Sequence, residues 1–194
     1  MRLLDTADFR PWTARKTVSM KRKFLGDAYD LAKRFILDST RPISEVFCIP
    51  MFTDFPENEK EMFSRIIGIP IIKEQINDVN NDLYGKGVFL DPNTGITDEP
   101  SRKHVSFDQI AFLLEKGAKF VIVFDQSFVR KKDKSKKEQV IKKLEKLQRK
   151  KIEAFYYVSH ASFLFASKNR DTATQLKEQL LKRGIPEDKF IAAQ

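Results

Sequence analysis

The 194-residue sequence has few of the residues that cross-link a chain, bind zinc or anchor it in a membrane. Its single cysteine, Cys48, excludes a disulfide within the chain, which fits a reducing compartment. Its two histidines, His104 and His160, have no histidine or cysteine at zinc-site spacing. No stretch approaches the roughly 20 apolar residues of a membrane span. Residues 1–24 contain no apolar run of signal-peptide length. We therefore expect a soluble, cytoplasmic protein.

Positive charge is concentrated in one segment. The net charge is +9, and residues 130–151 hold 12 lysines or arginines and 3 acidic residues, while the rest of the chain holds 24 of each sign. Such a segment is typical of proteins that contact phosphate-rich partners. We expect nucleic acid to bind an exposed lysine face, and the alternative is a solvated helix face with no partner. The lysines of this predicted face are Lys136, Lys137, Lys143, Lys146 and Lys150.

Four apolar runs predict strands. They are residues 45–52, 87–90, 119–124 and 152–167, and the last is long enough to break into a hairpin. The first three are short and apolar throughout, which is typical of strands covered on both faces. A fifth run, residues 69–72, contains a proline and is at best an edge strand.

Helical patterns separate these runs. They are an amphipathic segment at 27–37, a segment at 57–67 after Pro56, a capping box of Ser106 and Gln109 closed by Gly117, a second box of Ser135 and Glu138, and a last helix that Asp171 caps and that ends at Gly184. The second box opens a helix with the apolar stripe Val140, Ile141, Leu144 and Leu147. The alternation predicts one Rossmann-like α/β domain over residues 24–194, after an N-terminal arm at 1–23. Its sheet should be mainly parallel, with helices on both faces, and should end in an antiparallel hairpin.

Three of the predicted strands end in an aspartate, at Asp54, Asp91 and Asp125. Ligands of open α/β sheets bind outside the carboxyl ends of the strands. Clustered carboxylates there either hold Mg²⁺ or Mn²⁺, or orient the amines and hydroxyls of a ligand. We expect a metal set of Asp27, Asp91 and Asp125. The alternative is that each aspartate only caps a turn.

The stretch "FLGDAYDLAKR", residues 24–34, carries a second polar group. Asp27, Asp30, Lys33 and Arg34 fall three and four residues apart, on adjoining parts of one helix face. They either face the strand ends or form an ordinary helix start with ion pairs. We expect one site at the strand ends, with Asp27, Asp91, Asn93 and His104 as its catalytic candidates, Asp30, Lys33 and Arg34 as cofactor-binding candidates, and Asp125 completing the metal set.

The motifs "GDAYDLAK" and "FLDPNTGI", followed by His104 and "VFDQS", resemble an uncharacterised bacterial family. Its members carry Gly-Asp-x-x-Asp-Leu-x-Lys and Leu-Asp-Pro-Asp-Thr-Gly. More distantly, both motifs are similar to those of the adenine-N6 methyltransferases of ribosomal RNA. That resemblance implies that Lys33 and Arg34 help to hold S-adenosylmethionine. It also implies that Asp91 and Pro92 start the turn that holds the target amine.

The chain departs from the methyltransferase pattern at three places. The turn after the first strand, "MFTDFPENE", has no glycine. Asp54 and Asp91 are too close in sequence for a full second and third strand–helix unit. Asn93 and Thr94 replace the Pro-Tyr that stacks a base. We therefore expect S-adenosylmethionine to bind weakly or not at all.

Three functions fit these observations. The first is a methyltransferase-like protein that acts on or binds nucleic acid. The second is a Mg²⁺-dependent nuclease or phosphoesterase that uses Asp27, Asp91 and Asp125. The third is a non-catalytic nucleic-acid-binding module. The sequence leaves open whether the protein is an enzyme.

Overall fold

The computed structural model describes residues 25–51, 57–72, 76, 83–99, 101, 103–128 and 135–192. The predicted N-terminal arm and Asp54 lie outside these ranges. The helices are α1 (Ala28–Thr40), α2 (Glu57–Ile67), α3 (Phe107–Glu115), α4 (Lys136–Arg149) and α5 (Arg170–Lys182). The strands are β1 (Val46–Pro50), β2 (Gly87–Asp91), β3 (Gly95–Thr97), β4 (His104–Ser106), β5 (Phe120–Phe124), β6 (Glu153–Tyr157), β7 (Phe163–Ser167) and β8 (Phe190–Ala192).

Six strands form the main sheet, in the order β1-β2-β5-β7-β6-β8. β1, β2 and β5 pair in parallel, and β7 is antiparallel to both β5 and β6. β6 therefore runs in the direction of β5, and β8 runs against it. The predicted mixed α/β architecture with a mostly parallel sheet is confirmed, because β1, β2, β5 and β6 share one direction. The predicted antiparallel hairpin is β6–β7.

The sequence did not predict the short strands. β3 and β4 are three residues each and pair in parallel as a separate two-stranded sheet. β8 is also three residues long and closes one edge of the main sheet. Residues 69–72 make only one bridge beside β1, in which Cys48 donates to Pro70 O and Ile72 donates to Cys48 O, both at 2.8 Å. This is the edge position that the internal proline favours.

Alternate residues of the strands enter two hydrophobic clusters. In β5, Val121 and Val123 belong to the first cluster, and Phe120, Ile122 and Phe124 belong to the second. Helices α3 and α4 contribute to the first cluster, through Ile110, Leu113, Val140, Leu144 and Leu147. Helices α1, α2 and α5 contribute to the second, through Ile36, Leu37, Phe63, Ile67, Leu176 and Leu180. Because successive side chains of a strand point to opposite sides, each cluster lies against one face of the sheet.

Side-chain caps fix the starts of the helices. Both predicted capping boxes are present, at Ser106 with Gln109 and at Ser135 with Glu138. The prediction that Asp171 caps α5 is wrong. Asn169 takes that position, and its side chain accepts from Asp171 N at 2.7 Å and Thr172 N at 3.1 Å. Within the described ranges, no helix combines the length and the apolar character needed to cross a membrane.

Gly95 begins β3 in a position that only glycine fits. Its φ is +110°, and an added Cβ would lie 2.0 Å from Asp125 Oδ1 and 2.8 Å from the backbone nitrogen of Gln126. We expect Gly95→Ala to lower the free energy of unfolding by roughly 2–4 kcal/mol, from backbone strain and overlap together. Urea denaturation measures this. Gly184→Ala is the control, because Gly184 has a φ of +89° but no neighbour within 4 Å. Its cost should be about 1–2 kcal/mol from the backbone alone, and equal losses in the two variants would contradict the overlap at Asp125.

Candidate functional site

The carboxyl ends of β1, β2, β5 and β6 lie at one end of the main sheet, and we call this end the rim. The rim carries the turn after β2, the loop after β5, the β6–β7 turn and the first residue of β8, because β7 and β8 run in the opposite direction. Helix α1 brings its first turns to the same end, since Lys33 of α1 contacts Asp91 at the end of β2. The rim is therefore the place where ligands of such a sheet bind.

Three buried charged residues, which we call the Asp91 cluster, join α1 to β2. Lys33 Nζ lies 2.8 Å from Asp91 Oδ2 and 3.0 Å from Asp30 Oδ1. Asp30 Oδ2 also accepts from Gly26 N at 2.9 Å. The Lys33 side chain is 3% exposed, and its ammonium lies 4.7 Å from the centre of the Phe124 ring. The expected proximity of Asp91 to the start of α1 is thus found.

The Asp91 cluster holds two carboxylates and one ammonium away from water. Burial raises the pKa of Asp91, and the charge and hydrogen bond of Lys33 offset only part of that rise. Burial alone would lower the pKa of Lys33, but Asp91 and Asp30 together raise it above its ordinary value. Lys33 therefore stays charged, and among the described residues it is the one donor to the Asp91 carboxylate.

A second group, the Asp125 cluster, joins β5 to α4 and β6. Asp125 Oδ1 accepts from Ile96 N at 3.1 Å, Ser127 N at 3.0 Å and Ser127 Oγ at 2.6 Å. Its Oδ2 accepts from Lys143 Nζ at 2.5 Å and Tyr156 Oη at 2.8 Å. The Asp125 carboxylate is 0% exposed and has five donors, so its charge is fully compensated.

Asp91 and Asp125 point to opposite faces of the sheet. The register that pairs Leu90 with Val123 places Asp91 beside Phe124, so Asp125 lies one residue further along. Asp91 shares the face of Phe89, which packs with α1, whereas Asp125 shares the face of Val123, which packs with α4. The predicted gathering of these carboxylates at one site is therefore wrong.

The predicted metal set is not assembled. Asp27, its third member, caps α1, and its Oδ1 accepts from Tyr29 N at 2.8 Å and Asp30 N at 3.1 Å. The described residues contain no group of three or more histidine, cysteine, aspartate or glutamate side chains placed to hold a metal ion. Asp91 and Asp125 each have a lysine ammonium as their cation instead.

The turn after β2 carries the other catalytic candidates. Pro92 is buried and Asn93 is exposed. Thr94 Oγ1 donates to Lys103 O at 2.9 Å and lies 2.5 Å from His104 Nδ1. Thr94 Oγ1 thus lies within hydrogen-bond distance of both the Lys103 carbonyl and the His104 ring. The turn thus holds His104, and Asn93 is the exposed polar residue of this turn.

The resemblance implies that Lys33 and Arg34 help to bind a cofactor, and the structure places the two side chains in different surroundings. Both aspartates of the Asp91 cluster hold the Lys33 ammonium, and its side chain is buried. Arg34 reaches the end of α2, where Nη1 lies 3.5 Å from Arg65 O and 3.3 Å from Ile66 O. The Lys33 ammonium is therefore not accessible to a cofactor, whereas the Arg34 side chain is 50% exposed and lies at the surface beside α2. The Lys33 half of the implied pair is thus not available, and the expectation for Arg34 stays a prediction.

The predicted lysine face of α4 needs correction. Lys143 is only 14% exposed in its side chain and pairs with Asp125. Lys146 pairs with Asp98, and Lys150 pairs with Asp108 at 2.6 Å. Lys136 lies half-buried, with Nζ 2.5 Å from Ser159 O, and Lys137 is exposed. The apolar stripe of α4 is buried as predicted except for Ile141, which is half-buried. Most of these lysines therefore flank that stripe and join α4 to neighbouring elements.

Aromatic residues at the rim were not among the predicted site residues. The Tyr29 ring lies 5.7 Å from Phe124, Phe124 lies 5.3 Å from Phe163, and Phe163 lies 6.3 Å from Tyr157. Phe190, the first residue of β8, continues the row at 6.1 Å from Tyr157. The signal in the sequence was an aromatic residue at the rim end of each of β5, β6, β7 and β8. Tyr29 is 43% exposed, so the row has an accessible ring at its α1 end.

Comparison with protein-family models gives no match to the chain, and comparison with curated proteins gives none either.

Proposed function

We propose that this chain is a Rossmann-like domain, methyltransferase-like in architecture, that binds nucleic acid at the rim of its sheet. The two hydrophobic clusters support this architecture, because helices contribute to each of them and alternate strand residues divide between them. The antiparallel β6–β7 pair followed by a helix supports it as well, since that is one way in which a methyltransferase core ends. The proposal concerns binding and includes no methyl transfer, because the Lys33 ammonium is buried between Asp30 and Asp91.

The observation that carries the proposal is the exposed ring of Tyr29 at the rim. Tyr29 packs on Phe124, which the strand register places beside Asp91. An aromatic face in such a position stacks on a base, and base stacking on an aromatic side chain contributes about 1–3 kcal/mol. Inside a duplex the stacked neighbours cover both faces of a base, so the base at Tyr29 would belong to a single strand.

Polar side chains along the rim support the same proposal. Asn93 follows β2, Gln126 follows β5, and His160 lies in the β6–β7 turn, and all three are exposed. Gln126 Nε2 donates to His160 O at 3.0 Å, which ties two of these loops together. Amide and imidazole groups both donate and accept hydrogen bonds, so they suit base edges.

Replacement of Tyr29 tests the base-binding proposal. We expect Tyr29→Ala to weaken binding of a short single-stranded oligonucleotide by about 1–3 kcal/mol, the contribution of one stacked base. Fluorescence anisotropy with labelled poly(dT) and poly(U) oligomers measures the affinity. Tyr84→Ala is the matched control. Tyr84 is 82% exposed but precedes β2, so it lies at the end of the strands opposite the rim. Equal effects of the two variants, or no binding by the unaltered protein, would overturn the proposal.

A further inference from the structure

We propose that Lys136, Lys143 and the Phe128 ring between them form a phosphate-binding niche at the rim. This inference rests on the proposed function and deepens it, since it assigns the backbone phosphate of the bound nucleic acid to particular side chains. It also relocates the phosphate contact from the outer face of α4 to the loop after β5.

Two ammonium groups lie against one ring in the niche. Lys136 Nζ is 4.8 Å and Lys143 Nζ is 4.5 Å from the centre of the Phe128 ring. The two lysines are seven residues apart in α4, so two helical turns place them on the same side of the helix. Ser127 Oγ accepts from Lys143 Nζ at 2.6 Å, and its own proton goes to Asp125 Oδ1 or to Ile96 O. The two ammonium groups are therefore the donors that the niche offers to a phosphate oxygen.

The niche has one positive charge more than its carboxylates compensate. Asp125 neutralises Lys143, and the other donors to Asp125 take up its remaining lone pairs. Lys136 has no carboxylate partner among the described residues, and its ammonium donates to the carbonyl of Ser159. Burial lowers the pKa of Lys136, and the charge of Lys143 lowers it further, against a partial rise from Asp125. A phosphate would relieve this repulsion, which gives the niche its preference for an anion.

The other predicted lysines are less suited to the same task. Lys146 and Lys150 already have exposed acidic partners, Asp98 and Asp108, that a phosphate would have to displace. Lys137 is exposed and has no partner within the described ranges, so it can meet a phosphate only as an isolated, well-hydrated charge. Among these five described lysines, only those of the niche combine uncompensated charge with partial burial, which strengthens a charge-assisted hydrogen bond.

Adjacent lysines in the first turn of α4 provide the test. We expect Lys136→Gln to weaken binding of both tripolyphosphate and a single-stranded oligonucleotide about tenfold, which is about 1.4 kcal/mol. The salt dependence of oligonucleotide binding should lose about 0.7 of its slope in log K against log salt, the loss of one phosphate contact. Lys137→Gln removes the same charge one residue away and should leave affinity within about twofold and the slope unchanged. Lys136→Arg should keep most of the affinity, since it keeps the charge.

The outcomes separate this inference from the proposed function. If the oligonucleotide binds and the two glutamine variants lose affinity equally, the niche is wrong while nucleic-acid binding stands. If tripolyphosphate binds through Lys136 and no oligonucleotide binds, the niche stands and the proposed function is wrong. If neither probe binds the unaltered protein, both are overturned. Urea denaturation of each variant confirms that it is folded before binding is measured.

Discussion

Replacement of Lys143 by glutamate should destabilise the protein by at least about 3–5 kcal/mol, the usual cost of removing one partner of a buried ion pair. The Lys143 side chain is 14% exposed and that of Asp125 is 0% exposed, so solvent screens little of the change. The new carboxylate would also face Asp125 from the position that the ammonium occupied, and like charges at that distance repel. The midpoint of urea denaturation should fall accordingly, with an unchanged slope if unfolding stays two-state.

The control for this prediction is Lys146→Glu, which makes the same change of charge one turn away on α4. The Lys146–Asp98 pair has side-chain exposures of 41% and 71%, so its loss should cost no more than about 1 kcal/mol. Equal destabilisation by the two variants would show that Lys143 acts as a surface charge. It would contradict a buried ion pair between Lys143 and Asp125.

The contrast between these lysines shows what a periodic pattern leaves undetermined. The stripe of Val140, Leu144 and Leu147 fixed which side of α4 is buried, and the structure confirms that side. A lysine on the flank of such a stripe is exposed or paired according to what the neighbouring element offers. The acids that pair here come from the loop after β5, from the segment after β3 and from α3. Those contacts exist only once the elements pack, so composition alone assigned every lysine to solvent.

The rim shows the same limit more sharply. Both "VFLD" and "VIVFD" end in an aspartate, and both strands were located correctly. The two strands are parallel neighbours with no tight turn between them, so their register follows from packing rather than from loop length. A shift of one residue along a strand exchanges the faces of its side chains. Whether Asp91 and Asp125 meet or diverge therefore depended on a register that the sequence does not state.

Local signals were the most dependable part of the sequence. The capping boxes at Ser106 and Ser135 depend on residues three positions apart, and both are present. The contact of Lys33 with Asp91 joins residues 58 apart, and it was expected only because the start of α1 and the end of β2 were placed at one end of the sheet. Short strands such as β3 and β8 have too few residues to show the alternation of apolar and polar side chains that identifies a strand.

Removal of the Lys33 ammonium is the second change with a large expected effect. Lys33→Met keeps most of the apolar stem, so the loss isolates the ammonium, which lies over the rings of Phe63 and Phe124. Asp30 and Asp91 would then remain as two buried carboxylates without their cation. We expect a loss of about 3–5 kcal/mol in the free energy of unfolding at neutral pH.

This loss should depend on pH in a defined direction. Burial already raises the pKa of Asp91 in the folded protein, and Lys33→Met removes the two effects of Lys33 that lower it. An acid whose folded-state pKa is above its unfolded value binds its proton more tightly when folded. The destabilisation by Lys33→Met is therefore largest above the raised pKa of Asp91 in the folded protein. It shrinks as the pH falls toward the pKa of Asp91 in the unfolded chain. Urea denaturation at about pH 8 and about pH 5 should show the gap between variant and parent narrowing at the lower pH.

A double variant separates charge from packing. Lys33→Met with Asp91→Asn removes one charge of each sign, so it should be more stable at about pH 8 than Lys33→Met alone, because fewer buried carboxylates lack a partner. Its stability should also change less with pH than that of the single variant, since the titrating carboxyl of Asp91 is gone. A single variant whose deficit is the same at both pH values, or a double variant less stable than the single one, would show that Lys33 stabilises the fold through its stem and not through the buried ion pair.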